Sequence, residues 1–487
     1  MNLGYKYIYI IIVLLCLENI KIHSQNYKGQ YEAFKKEAHK NYASFRDECN
    51  KKYIQFLIDA WGWYYGEEPT QVPDDNPIPP KPYEKEKEEQ RVVITPQPAP
   101  VPQPKPKPKP IEPIYEQPLI DENILAFDFY GIPAKVRFSK GLKLNLSNVK
   151  PQSIANGWET LCTDEINNTI RDCLEARIRY NLSDWAYLLF LYQVGKTFST
   201  NPNEATLFTA FLYCQSGYQM RLGIDNDTQL KLLYGSQHHI YNLPYFKIDG
   251  VMFYPFGKMS NQISICNAEF EGETPMSLII DSEQTVGNQL SDLRHIHSDK
   301  YPLLGIDSKV PVELINFFVT YPTSQIGNNP LTRWAMYANV PLAEKSKELI
   351  YPQFEEFLTS NSELEAANKL LDWVQTGFIY EYDDKVWGHD RAFFAEETLY
   401  YPYADCEDRS ILFSRLVRDL LGLDVALVYY PGHLATAVAF NEDVYGDTMM
   451  INGRKFTVCD PTYIGAPVGA QMPGLEYDKT EAIVLNR

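Results

Sequence analysis

The feature that most constrains this chain is a run in which proline and lysine alternate, from Pro104 to Pro110. It belongs to a longer segment, residues 67–118, which holds a second proline cluster at residues 79–82. Proline fixes the backbone near the polyproline II conformation and supplies no amide donor. We therefore predict that residues 67–118 form an extended linker outside any hydrophobic core. At about 3.1 Å per residue, such a linker could span on the order of 150 Å.

The residues before this linker follow a helical pattern. Apolar and aromatic side chains recur at steps of three and four from Phe34 through Tyr53 to Trp63, with lysines and acids between them. This spacing predicts an amphipathic helical arm within residues 25–66. Two interpretations remain open: the arm packs on the protein's own body, or it binds a protein partner or a cell surface.

The first 24 residues have the layout of a secretory signal peptide. Lys6 precedes an apolar run from Tyr7 to Leu17, and cleavage is expected after Ser24. A lipoprotein anchor at Cys16 and an uncleaved membrane anchor are the alternatives. We expect an extracytoplasmic protein that is periplasmic, attached to the cell surface or secreted.

Charge and cysteine content narrow the function classes. A formal net charge of -18 argues against a nucleic-acid binder, because such proteins usually carry a basic patch. Seven cysteines follow the signal peptide, and none of their spacings is typical of a zinc site. An odd count leaves at least one thiol free or intermolecular in an oxidising compartment. Cys162 and Cys173 are near enough in sequence to pair.

The remaining chain predicts the α+β class, because helical patterns come first and β-like runs follow them. We expect one α+β domain over residues 119–312 and a second over residues 313–487. The segments Trp185–Tyr192 and Leu364–Thr376 are predicted as helices, and Val425–Tyr430, Ala435–Phe440 and Lys455–Cys459 as strands.

A cysteine stands at the start of a predicted helix in the second domain. Pro402 ends the preceding element, and helical periodicity then runs from Ser410 to Leu421 and stops at Gly422. Cys406 therefore lies at a helix N-terminus, where free amides and the helix dipole favour a thiolate. We expect its pKa to be lowered, and we expect the amides there to act as oxyanion donors. The acids beside it, Glu407 and Asp408, are predicted to form a solvated helix start.

A histidine and an aspartate follow on the next strands. His433 opens the strand after a Pro-Gly turn, and Asp460 closes a later strand immediately before Pro461. A thiol, an imidazole and a carboxylate in this arrangement are the parts of nucleophilic catalysis: His433 takes the thiol proton and Asp460 orients the imidazole.

These residues resemble the transglutaminase-like superfamily of papain-type folds. The resemblance covers residues 363–469 and rests on Cys406-Glu407-Asp408 at a helix start, the Leu-Gly-Leu at its end, the histidine on a following strand and Asp-Pro-Thr from Asp460. It implies a papain/transglutaminase-like fold with Cys406 as nucleophile, His433 as base and Asp460 as orienter. Two positions depart from the family, which often has glycine at 404 and tryptophan at 435, where this chain has alanine.

The resemblance implies a thiol hydrolase of the peptidase or amidase kind that acts through a thioester on a peptide, protein or peptidoglycan-type amide. The alternatives are an acyl transferase that accepts an amine and a non-catalytic binding or scaffold protein with a relic triad. Loss of the aromatic residue at 435 weakens the transferase alternative most. No cofactor and no metal is expected, and His295-Ile296-His297 is too common a pattern to predict a metal site.

The first domain partly repeats the pattern of the second. If Gly217 is placed on Gly422, Cys406 falls on Asn201, and His238 and His239 fall near His433. On this register Phe253-Tyr254-Pro255 takes the place of Cys459-Asp460-Pro461. The first domain is then a degenerate copy without nucleophile or orienter that binds or scaffolds; the alternative is a coincidental match between two helix-strand pairs.

Overall fold

The computed structural model describes residues 45–73, 77–84, 92–118, 121–359 and 361–486, and it has the predicted α+β class. The predicted signal peptide and the first part of the predicted arm lie outside these residues. No helix of the described chain has the length and apolar character needed to cross a bilayer.

The helices fall into groups that precede each set of strands. They are α1 (residues 45–59), α2 (Pro151–Leu161), α3 (Asn167–Arg179), α4 (Asp184–Phe198), α5 (Pro202–Gln215), α6 (Val312–Phe318), α7 (Leu331–Asn339), α8 (Glu344–Leu358), α9 (Glu363–Thr376), α10 (Asp383–Val386), α11 (Ala395–Tyr400) and α12 (Cys406–Leu416).

The strands before the second helical group are β1 (Trp61–Tyr65), β2 (Val93–Ile94), β3 (Gln97–Pro98), β4 (Glu122–Phe129), β5 (Ile132–Ser139), β6 (Met220–Asp225), β7 (Gln229–Ser236), β8 (His238–Ile240), β9 (Phe246–Ile248), β10 (Val251–Pro255), β11 (Gln262–Cys266), β12 (Arg294–His297) and β13 (Gly305–Ser308). The later strands are β14 (Ser324–Ile326), β15 (Asp424–Tyr430), β16 (His433–Ala439), β17 (Thr448–Ile451), β18 (Arg454–Cys459) and β19 (Glu481–Val484).

Two sheets dominate the molecule. The first sheet has the order β1-β11-β6-β7-β10-β9, and the second sheet has the order β2-β17-β18-β16-β15-β19-β3. The strands predicted from sequence in the second domain correspond to β15, β16 and β18. The predicted helices Trp185–Tyr192 and Leu364–Thr376 lie within α4 and α9.

The two sheets share a five-stranded core of the same topology. The order β11-β6-β7-β10-β9 repeats as β19-β15-β16-β18-β17, and all neighbouring strands of both cores are antiparallel. A helix precedes each core in the chain, α5 before the first and α12 before the second, and it packs on the central strands. A glycine with positive φ ends each helix: Gly217 at 92° and Gly422 at 66°. Glycine suits this position because other residues are strained there.

The topology corrects the register that we expected between the two domains. The first residue of α12, Cys406, corresponds to Pro202 of α5, one residue after the predicted Asn201. The difference of one residue lies in the π-helical turn Val417–Leu421, which extends α12 before Gly422. His433, the first residue of β16, corresponds to Gln229 of β7, while His238 lies on β8 outside the shared core.

The predicted arm ends earlier than expected. Helix α1 stops at residue 59, and the aromatic residues Trp61–Tyr65 form β1, which pairs with β11 at the edge of the first sheet. Aromatic side chains favour strands, and an available edge supplies the hydrogen bonds that a longer helix would forgo. Helix α1 packs on the body, where Tyr53 is buried against Trp158 with ring centroids 4.8 Å apart.

The described parts of the predicted linker, residues 67–73, 77–84 and 92–118, lie along the body, contrary to our expectation. Its strands β2 and β3 run parallel to β17 and β19 and form the two edges of the second sheet. Farther along, the carbonyl of Pro108 accepts a hydrogen bond of 2.9 Å from Arg177 in α3. Proline lacks a donor, but its carbonyl still accepts and edge strands tolerate it, so the composition excludes a central strand and permits an edge. We call residues 67–118 the crossing segment.

The described cysteines form no disulfide, so Cys162 and Cys173 do not pair. Cys162 Sγ instead donates to the carbonyl of Trp158 at 3.2 Å.

Candidate functional site

The N-terminus of α12 and the first residue of β16 line one cavity of about 580 Å³. Cys406 and His433 both contribute to its wall, and both are buried, with 7% and 2% of their surface exposed. The crossing segment adds Val72, Pro73 and Pro77, and the backbone amide of Ile78 donates to the carbonyl of Gly432 at 2.8 Å. The cavity therefore lies between the helix that carries the thiol, the strand that carries the imidazole, and a proline-rich stretch from far upstream.

The histidine and the aspartate are in direct contact. His433 Nε2 lies 2.8 Å from Oδ2 of Asp460, and both side chains are almost fully buried. The other carboxylate oxygen, Oδ1, accepts from the backbone amide and the hydroxyl of Thr462 at 2.9 and 2.8 Å. These hydrogen bonds to the Asp460 carboxylate hold it toward the imidazole and fix its plane.

The charge state of Asp460 follows from these contacts. Burial acts to raise its pKa, but the charge and hydrogen bond of His433, with the hydrogen bonds from Thr462, outweigh burial and hold the pKa below its usual range. Gln375 of α9 also holds the loop that carries Asp460, because its Nε2 donates to the backbone carbonyl of Asp460 at 2.9 Å. The aspartate is therefore an anion held in one orientation.

The second nitrogen of the imidazole is free. Among the described residues, Nδ1 of His433 is a buried polar atom without a hydrogen-bond partner. Buried polar atoms rarely stay unpaired, and those that do often belong to reactive sites. With Nε2 engaged by Asp460, Nδ1 is the nitrogen that remains to exchange a proton in the cavity.

The thiol of Cys406 differs from our expectation. Burial and the charges of Glu407 and Asp405 raise its pKa well above the usual value, and the hydrogen bond from the backbone amide of Leu434 lowers it only in part. Sγ donates to Oε2 of Glu407 at 3.1 Å. A helix N-terminus favours a thiolate, but two neighbouring carboxylates in a desolvated position outweigh it. The resting thiol is therefore protonated.

The acids after Cys406 are buried, so the predicted solvated helix start is wrong. Asp408 accepts from the backbone amides of Phe393 and Asp405 at 2.8 and 3.3 Å. Arg409 donates to the carbonyls of Gln375 and Phe378, both at 2.8 Å. These contacts tie the start of α12 to the ends of neighbouring elements and fix the position of the cysteine.

Sequence reasoning missed the residues that form the rest of the wall. Tyr380, Tyr382 and Asp383 line the cavity. Burial, with the neighbouring Cys406, Asp405 and Glu407, raises the pKa of Tyr380 above its usual range. The alternation of aromatic and acidic residues directly after α9 was the available signal.

A second cavity occupies the equivalent position on the first sheet. Its wall includes Pro202, Gln229 and Gly257, which the order and pairing of the strands match to Cys406, His433 and Asp460. Its lining also has the rings of Trp185 and Tyr192 and contains no acidic residue. The first domain thus has a cleft without a nucleophile, a base or an orienter.

The two histidines of the His-X-His pattern are on β12. His295 Nδ1 contacts the carboxylate of Asp307 on β13 at the exposed surface.

No protein-family model matches this chain, and no curated protein is similar to it at a significant level.

Proposed function

We propose that this protein is a thiol hydrolase of the transglutaminase-like, papain-type superfamily that cleaves amide bonds through a thioester on Cys406. The observation that carries the proposal is His433: Nε2 is bound by Asp460, while Nδ1 is buried and unpaired among the described residues in a cavity that Cys406 shares. An imidazole oriented by a carboxylate and open at its second nitrogen is suited to accept a thiol proton.

In the reaction, His433 Nδ1 takes the proton of the Cys406 thiol as the sulfur attacks the substrate carbonyl. The resulting oxyanion is stabilised by the first amides of α12, which have no partner within the helix. The C–N bond then breaks, and the leaving amine takes the proton from His433. Water, deprotonated by His433, hydrolyses the thioester and returns the thiol.

The raised pKa of Cys406 sets the order of these steps. Because the resting thiol is protonated, deprotonation has to accompany attack or follow substrate binding. The mechanism is therefore closer to general-base catalysis, as in serine hydrolases, than to a standing thiolate-imidazolium pair.

One observation favours the non-catalytic alternative. The thiol donates to Glu407, and acids on both sides of Cys406 oppose the thiolate. A relic triad would keep the His433–Asp460 contact for stability and lose nucleophilicity at Cys406.

The test uses p-nitrophenyl acetate as a generic acyl donor and intact-protein and peptide mass spectrometry as the readout. We expect one acetyl group on Cys406 that is removed by neutral hydroxylamine and turns over slowly in water. His433→Ala should suppress acetylation at Cys406, while Cys459→Ser, a matched change at another buried cysteine, should leave it intact. Added methylamine separates the two catalytic alternatives, because a transferase diverts the acetyl group to N-methylacetamide.

If Cys406 stays unmodified while other cysteines are acetylated, both catalytic alternatives fail and the relic-triad alternative takes their place.

A further inference from the structure

One wall of the Cys406 cavity is crowded with carboxylates. Ligand oxygens of Asp383, Asp390 and Glu407 lie within 4.8 Å of one another, and so do the terminal atoms of Asp405, Cys406 and Glu407. All five residues line the cavity. Like charges at these separations repel strongly where water is excluded.

The described residues that line the cavity include two cations, Arg333 and Lys385, against five acids. Arg409, outside the lining, also acts on Asp405. Arg333 binds both oxygens of Asp390, at 2.5 and 3.1 Å, and so neutralises that one carboxylate. Lys385 lines the rim but is exposed and pairs with Glu381. Glu407 has the Cys406 thiol as its hydrogen-bond donor, which carries no charge.

One acid of the wall is both buried and unsatisfied. Asp405 is 8% exposed, and its Oδ1 has no hydrogen-bond partner among the described residues. Burial and the charges of Glu407, Asp408 and Asp383 raise the pKa of Asp405 well above its usual value. A bound cation would displace this proton and recover the free energy that the unpaired buried oxygen costs. Asp405 is therefore a second observation, separate from the clustering of the acids. Its Oδ1 is a buried acceptor in the cavity wall that has no donor among the described residues.

The other lining residues indicate what kind of cation fits. The rings of Trp334, Tyr380 and Tyr382 line the same cavity, and aromatic rings attract organic cations through their faces. A divalent metal would instead require several hard oxygens that are free to coordinate. Both oxygens of Asp390 are occupied by Arg333, and that guanidinium also repels a dication at this position.

We propose that the cavity binds an alkylammonium group of the substrate against Asp405, Glu407 and Asp383, so that the amide substrate carries a primary amine close to the bond that is cleaved. This inference rests on the proposed function and narrows its substrate class. The ammonium donates to Oδ1 of Asp405 and its alkyl chain packs on the aromatic rings. An amine held protonated in this way serves recognition and is not a nucleophile, so the arrangement favours hydrolysis over amine transfer.

Binding of the ammonium also acts on the nucleophile. Several charged or titratable groups act on the Cys406 sulfur: Glu407, Asp405 and Arg409 around the start of α12, the Leu434 amide and His433 from β16, and Tyr380 and Tyr382 from the segment before α10. Pairing Glu407 and Asp405 with a cation removes the repulsion that disfavours the thiolate. Substrate binding therefore lowers the barrier to proton transfer from Cys406 to His433.

The affinity for the ammonium should depend on pH in a defined direction. Burial, the charge of Glu407 and then that of Asp390 raise the pKa of Asp383 to about 8, against the opposing backbone amide of Arg391 and charge of Arg333. At neutral pH this carboxyl is mostly protonated, and a cation has to displace its proton. Binding should thus strengthen as the pH rises from 6 to 8.

The test measures binding in the full-length Cys406→Ala variant, so that it does not depend on catalysis. Ligand-observed saturation-transfer NMR compares Nα-acetyl-lysine methylamide with its uncharged counterpart, Nα-acetyl-norleucine methylamide. We expect the lysine ligand to bind at least about tenfold more tightly, the value of one charge-assisted hydrogen bond. Adding Glu407→Gln or, separately, Asp383→Asn should remove most of this preference.

Asp384→Asn is the matched control, because the same charge is removed at an exposed residue of the rim. It should change the affinity by less than about twofold, since exposed charges are screened. Thermal melting checks that each variant folds; should Glu407→Gln not fold, Asp383→Asn decides alone.

A second measurement uses the wild-type thiol. n-Butylammonium, unlike n-butanol, should shift the alkylation of Cys406 by iodoacetamide to lower pH. Equal binding of the lysine and norleucine ligands would overturn the proposal. It is equally overturned if terbium(III) luminescence reports a metal in the cavity that Asp383→Asn abolishes while the lysine ligand does not bind. Lysine-selective binding without any acetylation of Cys406 would retain this site and reject the hydrolase.

Discussion

The two sheets of this protein have the same five-stranded core, yet they differ at three corresponding positions, where the second sheet has a cysteine, a histidine and an aspartate. At the start of the helix, the start of the second strand and just after the fourth, the second sheet has Cys406, His433 and Asp460, where the first has Pro202, Gln229 and Gly257. Each set lines a cavity at the same place in its fold. The topology therefore builds a cleft in either case, and three side chains decide what chemistry the cleft can support.

The surroundings of the two clefts differ as much as the triad positions do. The second-sheet cavity is lined by buried acids, whereas the lining of the first-sheet cavity has no acid and includes Lys231 and Lys258. His238 of the first domain and His433 of the second also differ in their surroundings. Burial, with smaller effects from Lys105 and His239, lowers the pKa of His238 to about 4, and its Nε2 accepts from the amide of Leu278 at 3.2 Å. His238 is a neutral structural residue, whereas His433 keeps a free nitrogen.

The largest expected effect is the loss of turnover when Cys406 is changed to alanine, compared with the same change at the equivalent position of the first sheet. Cys406→Ala should abolish thiol-dependent turnover of p-nitrophenyl acetate, a loss of at least about 10³-fold, because no other group can form the acyl intermediate. Pro202→Ala, at the equivalent position of α5, should leave turnover unchanged. Equal losses in both variants would mean that the two clefts do not differ in chemistry.

A smaller loss of turnover is expected when Asp460, directly after strand β18, is replaced. Asp460→Ala should reduce turnover by about 10²-fold or more, because His433 loses the carboxylate that orients it. Phe256→Ala, at the end of the equivalent strand of the first sheet, should not affect turnover. Circular dichroism melts have to remain cooperative for this comparison; loss of folding without a separable loss of rate would make Asp460 a structural residue.

Removing the acid beside the thiol should make Cys406 react faster with iodoacetamide. Glu407→Gln deletes a negative charge that raises the pKa of Cys406, so the pKa should fall and more thiolate should be present at pH 7. The iodoacetamide alkylation rate at pH 7 should rise by about tenfold for each pKa unit that is recovered. Asp384→Asn, at the exposed rim, should leave the rate within about twofold of wild type. An unchanged pH profile in Glu407→Gln would contradict the cause that we assign to the raised pKa.

The smallest effect concerns strand β2 at one edge of the second sheet. Among the described residues, the first sheet has no strand that corresponds to β2. Ile94 of β2 is buried, and Ile94→Ala should lower the free energy of unfolding by about 2 kcal/mol, as large-to-small core changes do. Val93→Ala, at an exposed neighbour on the same strand, should cost less than about 0.5 kcal/mol. Hydrogen exchange should locate the loss in β17 and its neighbours; a loss spread evenly over both sheets would contradict a local role for β2.

The sequence predicted much of the second sheet and little of what surrounds it. Strands β15, β16 and β18 could be predicted because their apolar runs are bounded by Gly422, the Pro-Gly turn and Pro461. The direct contact of His433 with Asp460 agrees with their predicted places on neighbouring strands. These are local signals, and the pairing of adjacent strands follows from them.

The features that the sequence did not predict depend on how distant parts of the chain pack together. The raised pKa of Cys406 depends on how deeply Glu407 and Asp405 are buried, which the helical pattern of α12 does not encode. The pairing of β2 and β3 depends on sheet edges that are far away in sequence, and proline content alone argued against it. Strand β1 was assigned to the helix because its aromatic residues continue the three- and four-residue spacing.

The parallel pairing of β3 with β19 has a consequence for how the chain folds. Gln97 lies beside Glu481, so one edge of the second sheet joins residues separated by almost the whole length of the chain. During synthesis, residues near position 97 leave the ribosome long before their partner strand exists, and the first sheet can complete its shared core while the second is still missing its last strand. Contacts of such high sequence separation form slowly, because the closing loop loses much entropy. The outer strands of the second sheet should therefore be the last part of the molecule to become ordered, and until then their open edges are available to other chains.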